Sequence, residues 1–225
     1  MQNDLFEKAP VHKAYFSFAL PVVFSMVISL IYNMADTYFI AGTGNTNLVA
    51  GVSLGAPIFT LMIALGDIFG LGGSSVISRL FGQKKDEDGK RLSVFCFYGA
   101  IVCGVIVAAV MMIFRAPILQ VLGADSDTIV YASQYYTWLV LGAPFIILVY
   151  TPSNLLRTEG FAVGSMTGTV LGAVVNIILD PILIFGLFGF PRMEVAGAAV
   201  ATVTGQIVAA VATIILNQKK TEILP

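Results

Sequence analysis

Charged residues are scarce in this sequence: 11% of its 225 residues are Asp, Glu, Lys or Arg, against about 25% in an ordinary soluble domain. Histidine and tryptophan occur once each, as His12 and Trp138, and cysteine twice. With one histidine, in a tail, there is neither a histidine pair for a metal nor a Ser/His/Asp hydrolytic set. Cys96 and Cys103 lie seven residues apart in one apolar run, lack metal-ligand spacing, and read as small core side chains. Twelve basic against thirteen acidic residues give a net charge of −1, without the basic surplus that phosphate neutralisation requires, which excludes a nucleic-acid partner. No G-x-x-x-x-G-K-[ST] run is present, so an ATP-driven pump is disfavoured. Neither an enzyme nor a bound cofactor is expected.

What the chain has is apolar surface, at 57% hydrophobic residues. One membrane crossing needs about 20 such residues, and six segments qualify: 14–41, 48–80, 92–114, 129–156, 161–188 and 195–216. The expected fold is an all-α integral membrane protein, a bundle of six transmembrane helices at 14–216 set in the lipid bilayer. Residues 1–13 read as a cytoplasmic tail, and 217–225 as a cytoplasmic end or the start of a linker. The first segment is too long for a cleavable signal, whose apolar region is about 7–15 residues, and reads as a retained span. Pro21, Pro57 and Pro144 fall inside spans one, two and four, where proline kinks helices.

Basic residues set the orientation. Lys8, Lys13, Arg79, Lys84, Lys85, Lys90, Arg91, Arg157, Lys219 and Lys220 are ten of the twelve cations. Six spans put them all on one side, predicting cytoplasmic termini in a plasma or inner membrane. Glycines recur every four residues at Gly164, Gly168 and Gly172, and small residues at Gly66, Gly70, Ser74 and Ser78 and at Gly197, Ala201, Gly205 and Ala209. Such ridges let helices approach closely in lipid and need no further function.

Ionisable groups within a span are costly, which marks them as functional candidates. Asp36 and Asp180 lie five and eight residues from the outer ends of spans one and five. Asn33 precedes Asp36 by three residues and Asn176 precedes Asp180 by four, on neighbouring helix faces. Thr202, seven residues into span six, reaches a similar depth. If these helices pack together, two carboxylates, two amides and a hydroxyl converge. Such a cluster suits either a proton, held by a desolvated carboxyl beside another, or sodium, a hard cation matched to Asp36, Asn176, Asp180 and Thr202 oxygens. Both chemistries stay open. Asp180 also precedes Pro181, which frees carbonyls in the helix ladder. Asp67, before a glycine-rich stretch in the inner part of span two, has no assigned role. Arg157 and Glu159 close span four and read as interfacial residues or a surface ion pair. Tyr131, Tyr135, Tyr136 and Trp138 read as an outer aromatic belt, or stack on a ligand where they face inward.

Five runs in register with the spans carry a family likeness: Asn33-Met34-Ala35-Asp36-Thr37, Ile77-Ser78-Arg79-Leu80-Phe81-Gly82, Leu156-Arg157-Thr158-Glu159-Gly160, Asn176 to Asp180-Pro181, and Gly197-Ala198-Ala199-Val200-Ala201-Thr202. In order and spacing they resemble the multidrug and toxic compound extrusion (MATE) family. The resemblance implies one lobe of a two-lobe antiporter that exports organic, often cationic, compounds in exchange for protons or sodium. Its acidic coupling site falls on Asp36, Asn176, Asp180 and Thr202, with Tyr32 and Asn33 as lining residues and Pro21 as the hinge of span one. Family members have about twelve spans, so the resemblance implies a second six-helix lobe, or another copy, to complete the substrate pathway. Two alternatives are a flippase for lipid-linked saccharides of the same superfamily and a non-transporting fragment or assembly module.

Overall fold

A computed structural model describes residues 11–220. Span one is a single helix, α1 (Val11–Ala41), with Pro21 inside it. Span two is 37 residues long and is built from α2 (Thr46–Ser53), α3 (Ala56–Asp67), a π-helical turn (Ile68–Gly72) and α4 (Gly73–Gly82). Span three is α5 (Asp86–Ile113). A short α6 (Arg115–Val121) leads to span four, formed by α7 (Ile129–Leu141), α8 (Ala143–Leu148) and α9 (Tyr150–Thr158). Spans five and six are α10 (Ala162–Phe185) and α11 (Val195–Lys220). Among the described residues five helices are long and apolar enough to cross a membrane, and the bent α7–α9 pair makes a sixth.

The differences from the sequence reading lie at breaks and ends. The charged run before span three is helical from Asp86 onward, because Asp86, Glu87 and Asp88 complement the positive end of the helix dipole in its first turn. Helix α1 begins at Val11, inside the expected tail, and α11 continues past Leu216 to Lys220. The rest of both expected terminal segments, 1–10 and 221–225, lies outside the described residues. Pro57 and Pro144 occupy the first turns of α3 and α8, where a missing N–H costs nothing. They restart helices after the breaks at Leu54–Gly55 and Gly142, and span four bends there by 53°. Pro21, by contrast, sits in unbroken helix.

Span four runs through the middle of the lobe. Tyr136, Leu139, Val140, Ile146 and Ile147 are fully buried and pack with Ile58 and Met62 of span two, Ala100 and Met111 of span three, and Ile184 and Ala198 of spans five and six. The Tyr136 hydroxyl donates to the Met111 carbonyl at 2.5 Å, which settles its one polar atom. Span one is peripheral: only 6% of its most apolar window is buried, and Leu20, Phe24 and Leu30 are exposed away from the cavity.

The ridges of spans five and six pack on each other, whereas in span two Gly66 and Gly70 meet span four and Ser78 is exposed. A Cβ built on Gly172 would stand 2.6 Å from the Gly205 carbonyl oxygen, and one on Gly205 would stand 2.7 Å from that of Gly172. Spans five and six therefore meet backbone to backbone. Gly205→Ala forces them apart and should cost about 1–3 kcal/mol, the usual range for overpacking. This should lower the thermal midpoint followed by circular dichroism in detergent. Gly82→Ala, where a Cβ meets open space, should leave the midpoint unchanged or slightly raised.

Candidate functional site

The contact of spans five and six sets Asn176 and Asp180 of α10 beside Thr202 of α11. The Asn176 Nδ2 donates to Asp180 Oδ1 at 3.3 Å, with Asn176 and Asp180 only 2% and 0% exposed. Asp36 reaches the same region from α1, close enough for its charge to act on Asp180. Asp36 Oδ1, Asp180 Oδ2 and Asn176 Oδ1 are buried without a hydrogen-bond partner among the described residues. Three orphaned acceptors in one place are unusual, since buried polar atoms are nearly always paired. They leave a donor-hungry spot for a proton or a small cation.

Tyr135 completes the cluster. Its phenol faces Thr202 and lies near Asp36, Asp180 and Tyr32. The belt reading fails for Tyr135 and Tyr136, which are 7% and 1% exposed, while Trp138 at 42% fits it. Depth held the missed signal: Tyr135 is six residues into span four, as Thr202 is seven into span six.

Asn33 does not line the cavity and meets the site only through the side chain of Tyr32. It is exposed and donates Nδ2 to the Ser29 carbonyl at 2.7 Å. A three-residue step leaves it about 60° from Asp36 around the helix, whereas the four-residue step from Tyr32 leaves about 40°. Tyr32 accordingly lies beside Asp36 and lines a cavity.

That cavity, about 570 Å³, runs between spans one, two, four, five and six. Tyr32, Asn176 and Thr202 mark its outer end beneath the two aspartates, and Asp67, Tyr150, Asn154 and Arg157 its inner end. Its volume suits a small organic molecule, for which sites of about 300–1,000 Å³ are usual. Pro21 lies further inward on span one, and its carbonyl accepts from Ser25 Oγ at 2.9 Å.

Arg157 departs from the interfacial reading. Because α9 continues to Thr158, Arg157 is still on a helix face turned into the lobe. Its Nε donates to Ser165 Oγ of span five at 3.0 Å, and it makes no ion pair with Glu159. Glu159 Oε1 is buried without a partner among the described residues. Glu159 caps α9 beyond the span, and burial pushes its carboxyl up to about 7. Among the described residues no three His, Cys, Asp or Glu side chains gather as a metal cluster.

A membrane-spanning helical lobe whose polar residues line a cavity has the architecture of membrane transport proteins. The chain belongs to the MatE family, whose family model matches residues 21–182. It is 38% identical over 193 residues to the multidrug export protein MepA of Staphylococcus aureus, covering 86% of this chain and 42% of that protein. MepA of Staphylococcus saprophyticus is 37% identical over the same extents. Among solved structures, an outward-facing multidrug resistance MATE transporter is 30% identical with a TM-score of 0.81, covering 92% of this chain and 44% of its own. A MOP superfamily transporter from Pyrococcus furiosus is 30% identical with a TM-score of 0.85, covering 97% and 47%. This chain thus spans under half the length of these relatives. Its kinship is with multidrug exporters, and the saccharide-flippase alternative is not favoured.

The cavity should be wet. With Cys96 and Cys103 replaced by alanine, Ser153→Cys on the cavity wall should react with a charged, membrane-impermeant thiol reagent about tenfold faster than Ala143→Cys in the core of the same span, as thiol reactivity follows exposure. Labelling kinetics followed by mass spectrometry would check this. Equal rates would mean a closed, dry interior.

Proposed function

We propose that this chain is the N-terminal lobe of a secondary antiporter in the cell membrane, with cytoplasmic termini, exporting organic and often cationic compounds in exchange for protons or sodium. One observation carries the reading: Asp36 and Asp180 approach each other with unpartnered oxygens directly above a small-molecule-sized cavity. Two carboxylates at that range repel unless a proton or cation lies between them. Binding there removes the repulsion and draws span one toward span five; release restores it. Asn176, Thr202 and Tyr135 supply neutral oxygens and hydroxyls that serve either ion. Pro21, which removes one hydrogen bond from α1, is where the helix bends as the pair closes. Solved MATE structures described as bent and straight, 29% and 30% identical with TM-scores of 0.83 and 0.81, support a family able to adopt two such shapes. Alternating access requires a second wall, which a second six-helix lobe or another copy of this chain supplies.

The test is efflux of a cationic dye from proteoliposomes holding the transporter that contains this chain, driven in turn by an imposed proton or sodium gradient. Asp180→Asn and Asp36→Asn should each reduce gradient-driven efflux to the protein-free background while leaving the protein folded and monodisperse. The gradient that drives the wild type identifies the ion. Full efflux from Asp180→Asn would remove the acid pair from coupling.

A further inference from the structure

Arg115 is a cation that the transport reading does not use. It opens α6 just past the outer end of span three. Arg192, the other described cation at that end, is paired with Glu194 at 3.2 Å, whereas Arg115 has no ion pair among the described residues. Its Nη1 donates to Thr137 Oγ1 at 3.1 Å and its Nη2 to Ser133 Oγ, both neutral. The acids of the loop that follows α6 are engaged within that loop. Asp125 Oδ1 accepts from the Asp127 N–H and from the N–H and hydroxyl of Thr128, and Asp127 Oδ1 accepts from Ser126 Oγ.

The direction of the side chain is a second observation. Span four starts at Ile129, so Thr137 lies about 12 Å into it at 1.5 Å per residue. An arginine at a span end ordinarily stretches toward water; this one reaches back along span four. The face on which it lies is turned to lipid. Val130, Ser133, Thr137 and Leu141 fall within about 80° of one another around α7, and the apolar two are 57% and 53% exposed. Tyr135, Tyr136 and Leu139, on the other side, fill the core. Trp138, beside Thr137 and 42% exposed, marks the depth of the headgroups, where tryptophan concentrates. The guanidinium thus lies at that depth on a lipid-covered surface, and its remaining N–H groups have no partner among the described residues. A lipid phosphate is anionic, sits at the same level, and accepts parallel hydrogen bonds from an arginine fork.

We propose that Arg115, aimed by Ser133 and Thr137, binds the phosphate of an anionic phospholipid in the leaflet at this end of the lobe. The acyl chains run inward past Leu141. A headgroup without its own cation is preferred, because a choline competes with the guanidinium for the phosphate. The site stands apart from the acid pair and does not depend on the antiport reading.

Trp138, the one tryptophan of the chain, reports which lipid is there. The full chain would be placed in nanodiscs of phosphatidylglycerol and phosphatidylcholine in equal parts, with brominated acyl chains on one lipid and then on the other, and the quenching of its fluorescence compared. In the wild type brominated phosphatidylglycerol should quench as though about threefold enriched at Trp138, the scale of one exposed charge pair. Arg115→Gln should make the two lipids quench equally. Thr137→Val, which keeps every charge and removes a hydroxyl that aims the guanidinium, should reduce the enrichment. Arg192→Gln should keep it, and so should millimolar glycerol phosphate, a headgroup without chains. Equal quenching in the wild type, or enrichment that survives Arg115→Gln, would overturn the site. Loss of enrichment in Arg192→Gln would trace it to the general charge of the outer end, and loss on adding glycerol phosphate would make the ligand a soluble phosphate; either result overturns the lipid site.

Discussion

Gly172 and Gly205 let the backbones of spans five and six approach until a methyl group no longer fits between them. Apolar burial cannot drive helices together in lipid, so this fit of surfaces is what holds the pair. The site follows from it: Asn176 is one turn beyond Gly172, Asp180 two turns beyond, and Thr202 lies three residues before Gly205 on the antiparallel neighbour. The close approach thus sets the depth at which the amide, carboxyl and hydroxyl meet. Side-chain packing then adds Tyr135 from span four and Asp36 from span one.

Much of this was legible in the sequence, for identifiable reasons. Long apolar runs fix the number of crossings, and glycines at four-residue spacing fix which faces touch. Carboxyls deep in such runs stand out because lipid makes them costly. Depth, helix spacing and the family likeness singled out Asp36, Asn176, Asp180 and Thr202, and the fold sets them in one region. What escaped was direction around each helix. Asn33 and Tyr32 are adjacent in sequence, yet 100° of rotation sends one outward and the other onto the cavity wall. Tyr135 resembled its interfacial neighbours because composition at a helix end says nothing about which face a ring occupies. Arg157 was misread for the same kind of reason: a break after Gly160 looked like a membrane boundary, while the helix carries the guanidinium inward.

Prolines show a related limit. A proline can kink a helix, begin one or sit within one, and neighbouring residues decide. Gly55 and Gly142 stand just before Pro57 and Pro144 and allow the chain to start a new helix. Pro21 has Leu20 and Val22 beside it and stays within continuous helix. The bend in span four turns α8 and α9 across the inner half of the lobe, bringing Tyr150, Asn154 and Arg157 to the cavity.

The peripheral seat of span one has a consequence for how the protein is made. Asp36 is synthesised 144 residues before Asp180, and at roughly 5–20 residues per second the interval is on the order of ten seconds. Through that interval the nascent helix must remain in the bilayer with a carboxyl that has no companion, held by Leu20, Phe24, Leu30 and its other lipid-facing side chains. The same outward face that puts the helix at the edge of the finished lobe is therefore what lets it wait in the membrane for the rest of its site to be translated.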